Sequence, residues 1–151
     1  MNRLDNWQAN LSDLIRKRQN QPFDIVNFNC LMWALEAVEA ITGESHYSLF
    51  AGKFKTAKGA AKILRTKGKA ETSAQFLEQL LGERQHIFFV RKGDIVVTDS
   101  EDPLLILPSD VALFGPPVGV CYGELTYFVG ETGLVSLNTL QLGSNTYGLH
   151  C

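Results

Sequence analysis

The sequence predicts one α+β domain, with N-terminal helices that pack a buried central helix on an antiparallel sheet or small curled barrel. Three observations predict it. Apolar residues recur at helical spacing through residue 82; the run from Cys30 to Ile41 is apolar at every position except Glu36 and Glu39; and after Gly82 the chain breaks into short β-rich runs separated by Gly, Pro and acidic turns. The domain spans residues 1–151, divided into an N-terminal helix (1–21), a helical half (22–82) and a β half (83–151).

Leu4, Trp7, Leu11, Leu14 and Ile15 line one face of a first helix, whose end carries Arg16, Lys17 and Arg18 where cations suit the helix dipole, with Pro22 beyond. The central helix begins at Cys30 behind Asn29, a good cap, and stops at Gly43. Thr56 caps a third helix ending at Gly68, and Thr72 with Gln75 forms a capping-box pattern ahead of a fourth that ends at Gly82. The strand-like runs that follow are HIFFV, DIVVT, LLILP, VALFG, VGVCYG, LTYFVG and GLVSLN. The turn RKGD at 91–94 lies between two of them and reads as a hairpin with Gly93 at positive φ.

The net charge of −2 gives no whole-chain reason to invoke nucleic acid or an anionic membrane. No apolar stretch approaches the roughly 20 residues that span a bilayer, and the first residues alternate polar and apolar where a secretory signal needs an apolar block, so synthesis and folding in a cytoplasm are expected. Cys30, Cys121 and Cys151 are widely spaced and are expected as free thiols. No nucleotide-binding or metal-ligand pattern occurs, so neither a cofactor nor a metal is expected.

Cys30 is the candidate nucleophile. A thiol in the first turn of a helix meets unpaired N–H groups and the positive end of the dipole, both of which favour thiolate. The same position suits a cysteine that packs as a small apolar group, and spacing alone leaves both readings open. A nucleophile also needs a base. His46 follows the central helix, about one helix length (~18 Å) from Cys30, which leaves His86 and His150 as candidate bases, each with a competing reading as a surface or strand-edge histidine.

Half of all lysines and arginines fall between residues 53 and 69, where no acidic residue occurs. Lys53, Lys55, Lys58, Lys62 and Arg65 are candidates for docking an acidic protein partner; with few aromatics among them for base stacking, nucleic acid is the less favoured partner.

The segments PFDIVNFNCLMWALEAVEAITG, FAGKFKTAKGAAKILRTKG, RKGDIVV and VGVCYGELTYFVGETGLVSLN, in this order over residues 22–149, resemble a phage family of unknown function related to the NlpC-like branch of papain-like cysteine peptidases. The resemblance implies an NlpC-like fold with Cys30 at the nucleophile position and with Gly93 and Asp94 at the turn into the sheet. It sets VGVCYG on the strand that in active relatives reads His-Val-Gly-x-Tyr. Here Pro117 stands where the histidine is expected, and Asn29 stands where active relatives carry Asp. The implied protein is a structural component of a phage tail tip or hub without hydrolase activity, a degenerate enzyme made in the host cytoplasm and carried in the virion. Its implied partners are hub, distal-tail or tape-measure proteins, with peptidoglycan as a further ligand. The alternative is an active peptidoglycan peptidase or amidase for cell-wall penetration, with Cys30 as nucleophile and His86 or His150 as base.

Overall fold

The computed structural model describes residues 2–105 and 115–151. Among them are four α-helices, α1 (Trp7–Arg18), α2 (Cys30–Thr42), α3 (Ala57–Thr66) and α4 (Ser73–Leu81), followed by six strands: β1 (Arg84–His86), β2 (Ile95–Val97), β3 (Val118–Tyr122), β4 (Leu125–Val129), β5 (Leu134–Asn138) and β6 (Tyr147–Leu149).

The caps form where the side chains predict them. Asn29 Oδ1 accepts from Met32 N at 3.0 Å, Thr56 from Gly59 N and Thr72 from Gln75 N, each satisfying an amide that the helix leaves unpaired. Gln75 Oε1 reaches back to Glu71 N, one residue before the cap. Gly43 ends α2 at φ +79°, a conformation glycine adopts without the Cβ penalty.

The sheet is open and antiparallel, in the order β1-β6-β2-β3-β4-β5. It does not close into a barrel, because β1 and β5 remain its two edges. Its strands run from residue 84 to residue 149, beyond the β-rich runs, which begin at His86 and end at Asn138. One face carries Ile95, Val97, Val118, Val120, Val129 and Leu149 into the main core, where the helices lie over it with α2 at the centre. Ten of the thirteen α2 residues are buried, as an all-round apolar helix requires. The other face holds a smaller cluster of Val96, Leu105, Cys121, Phe128 and Leu142, flanked by irregular chain and short 3₁₀ turns.

Three sequence expectations are corrected here. RKGD is not a hairpin: it makes the turn, with Gly93 at φ +94° and Asp94 N bonded to Arg91 O, but β1 and β2 do not pair with each other because β6 lies between them. HIFFV is a strand only at His86; residues Ile87–Phe89 coil into a 3₁₀ turn that leaves Phe88 and Phe89 exposed. In LLILP, Leu104 and Leu105 belong to another 3₁₀ turn, Pro103–Leu105, and the remainder of that run, together with VALFG up to Phe114, lies outside the described residues.

β6 had no strand signal in TYGLH, which is short and holds a glycine. Its neighbours suit a glycine there: a Cβ on Gly148 would collide with the Cγ2 methyl of Val90. Gly148→Ala should therefore displace Val90 or β6 and lower the melting temperature, as a thermal scan would read.

Candidate functional site

Asn29 brings Cys30 to its position. Its amide caps α2 on one side and donates to Ile25 O at 3.0 Å on the other, so the chain enters the helix with the thiol turned inward. Cys30 is 7 % exposed. The N–H groups of Cys30, Leu31 and Val118 lie around it, and Ser73, the first residue of α4, brings a fully buried hydroxyl near it that has no hydrogen-bond partner of full geometry among the described residues. Burial dominates: it pushes the thiol from its ordinary 9.0 up to about 11, and the Ser73 hydroxyl and the three amides offset only part of that. The helix N-terminus alone does not make this a thiolate at neutral pH.

None of the three histidines can reach it. His150 is hydrogen-bonded to Asp94, and Asp94 follows Gly93, whose Cα lies against Ile41 at the far end of α2. Eleven residues of helix from Cys30 to Ile41 are roughly 16 Å. His86 sits in register with Tyr147, Val97 and Val118, three strand spacings or roughly 14 Å from the strand beside the thiol, and its Nδ1 accepts from Phe88 N. His46 lies beyond the C-terminal end of α2, with Nε2 4.0 Å from Glu44. Pro117 immediately precedes β3, its carbonyl accepting from Thr98 N at 3.1 Å, so the place next to Val118 holds a pyrrolidine ring without a titratable group.

What the structure gathers at the other end of α2 is a second polar cluster. Asp94, fully buried, accepts from Arg3 (3.1 Å), from the backbone N–H groups of Arg91 (2.8 Å) and Cys151 (3.0 Å), and from His150 Nδ1 (2.6 Å). Arg3 also donates to the carbonyls of Cys151 (2.7 Å) and Lys92 (2.9 Å), and it stacks on Trp7. A buried carboxylate so surrounded is satisfied by charge-assisted bonds and orients His150. No activated thiol accompanies it: burial drives Cys151 up to about 11, and Cys121 is raised as well. The cluster therefore bolts residues 3, 94 and 150–151 together. Sequence reasoning singled out Asp94 only as a turn position and His150 only as a base, since the residues that meet there are far apart in the chain.

Among the described residues no group of three or more His, Cys, Asp or Glu side chains converges as metal ligands would. A model of the family described as "Domain of unknown function (DUF6950)" matches residues 2–144. The chain belongs to this family. No curated protein and no solved structure matches it.

In this DUF6950 protein the basic block surrounds α3. Ala57, Ala60, Ala61 and Leu64 face the core, and Lys58, Lys62 and Arg65 recur at i, i+4 and i+7 on the outer face. Lys53, Lys55, Lys67 and Lys69 flank them, all seven cations are exposed, and none makes an ion pair among the described residues. No helix of the described residues is long and apolar enough to cross a membrane.

The two raised thiols have a consequence for pH dependence. In the unfolded chain they ionise near 9, in the folded one near 11, so the folded state holds more protons between these values. Their contribution to stability is complete below pH 9 and is lost as pH rises to about 11, at up to ~1.4 kcal/mol per pH unit for each thiol. Urea melts of the parent and of Cys30→Ala across pH 8–11 should show a shallower alkaline slope in the variant; equal slopes would mean that Cys30 ionises alike in both states.

Proposed function

We propose that this DUF6950 protein is a structural component of a phage tail tip or hub, built on an NlpC-like cysteine-peptidase fold whose hydrolase chemistry has been lost. The observation that carries the reading is the isolation of Cys30: a helix-start thiol with no imidazole in reach, a proline next to the adjoining strand, and burial that keeps it protonated. A thiol nucleophile needs a base to generate the thiolate and an acid to protonate the leaving group, and none of the three histidines, all among the described residues, reaches Cys30 to serve either purpose. A buried helix on an antiparallel sheet, with a cysteine at the helix start, is compatible with that fold.

The purified protein should leave peptidoglycan fragments uncut across neutral pH, and Cys30→Ala should be indistinguishable from it. Cleavage by the parent that disappears in Cys30→Ala would establish the alternative, an active cell-wall hydrolase. The tail assignment has its own test. Mass spectrometry of gradient-purified particles should find the chain with other tail proteins, and its absence at any stoichiometry would remove the virion reading. Within a tail, the exposed cations of the α3 block supply a surface that steers docking onto an acidic protein face.

A further inference from the structure

α1 and α2 pass each other in opposite directions: Asn10 Nδ2 donates to Ala40 O at 3.0 Å, and Arg18 forks onto Glu36 at 2.8 and 2.9 Å. Leu14, Lys17 and Arg18 stand at i, i+3 and i+4 on α1 and so share one face, as Glu36 and Glu39 at i and i+3 share one face of α2. These faces border an open cleft of about 300 Å³, and Tyr47, half-buried against the main core, lines it as well. One wall is therefore cationic and the other anionic.

The charges across the cleft are used in two ways. Arg18 and Glu36 are held: their side chains are 23 % and 11 % exposed, and the guanidinium also lies over the Phe28 ring, 5.2 Å from its centroid. A two-bonded fork of this kind is fixed in geometry and is already paired. Lys17 and Glu39 differ. Both are exposed, and neither makes an ion pair, with the other or with any third group, among the described residues. A lysine on one wall and a glutamate on the facing wall, each without a counter-charge, are matched by a molecule that carries both charges itself. Its carboxylate meets Lys17 and its ammonium meets Glu39, while Leu14 and the Tyr47 ring offer apolar surface to the rest of it. The volume is at the small end for a ligand cleft, which suits a single amino acid.

We propose that the α1–α2 cleft binds a free α-amino acid with an apolar side chain, held as a zwitterion between Lys17 and Glu39. The cleft lies about two turns along α2 from Cys30 and uses neither that thiol nor the α3 block. It goes beyond the tail reading, and each stands or falls without the other.

The probe is L-leucine, titrated into the purified full chain while backbone amide shifts are followed by NMR. Exposed charges bind weakly, so the dissociation constant should be of millimolar order, with shifts centred on residues 14–18, 36–39 and 47. N-acetyl-L-leucine lacks the ammonium and L-leucinamide lacks the carboxylate; each should bind roughly tenfold more weakly than leucine. Lys17→Glu should reverse the order in favour of leucinamide, and Glu39→Lys in favour of N-acetyl-leucine. Both substitutions change exposed side chains, and a gained preference cannot come from misfolding. Amides around the cleft that stay unmoved at tens of millimolar leucine, blocked analogues that bind as well as leucine, or variants that keep the parent's order would each overturn the proposal.

Discussion

Trp33→Ala should destabilise the protein by about 3–5 kcal/mol, through lost transfer energy and the cavity left at the centre of the fold. Trp33 is fully buried, its Nε1–H donates to Tyr127 O at 2.9 Å, and its ring meets Phe28 edge-on with centroids 6.0 Å apart. The substitution therefore empties the space between α2 and β4 and removes that hydrogen bond. Leu35→Ala, equally buried but without the hydrogen bond, should cost roughly 2–5 kcal/mol. Urea titrations should show lower midpoints at unchanged slope. A loss below about 1 kcal/mol for Trp33→Ala would mean that α2 is not the centre of the core.

Asp94→Ala should cost about 3 kcal/mol, the lower end of what is lost when one member of a buried charged group is removed. The lower end applies because Arg91 is half exposed and can turn to solvent, whereas Arg3 is 20 % exposed and stays among carbonyls. Asp94→Asn should recover part of the loss, since its amide oxygen still accepts from a backbone N–H. If calorimetry found Asp94→Ala as stable as the parent, Arg3 and His150 must be solvated without it, and the residue would be a surface group.

The parts of this fold that sequence made legible are those whose causes lie within a few residues. Asn29, Thr56 and Thr72 are caps because the amides they accept from lie three residues on, and α2 is buried because its own composition is apolar all round. The parts that were hidden depend on distant partners. TYGLH becomes a strand only because β1 and β2 flank it, and Phe88 and Phe89 look like core residues until the turn at 87–89 takes them out of the sheet. Cys30 is a similar case: its place at a helix start was readable, but its ionisation depends on Ser73 and Val118, which α4 and β3 bring to it. The Asp94 cluster joins residues up to 148 positions apart, and no local pattern announces it.

The place of β6 between β1 and β2 also sets an order in time. A ribosome releases residues 84–97 long before residues 147–149, and until the latter emerge the two earlier strands face an empty slot with unpaired amides on both sides. The nascent domain can assemble its helices and the 95–138 meander, but it must wait for the last part of the chain to be wedged in, closing loops of some fifty residues as it does so. A messenger cut short near residue 144 would thus yield a half-sheet with two raw edges, a species prone to pair with its own kind.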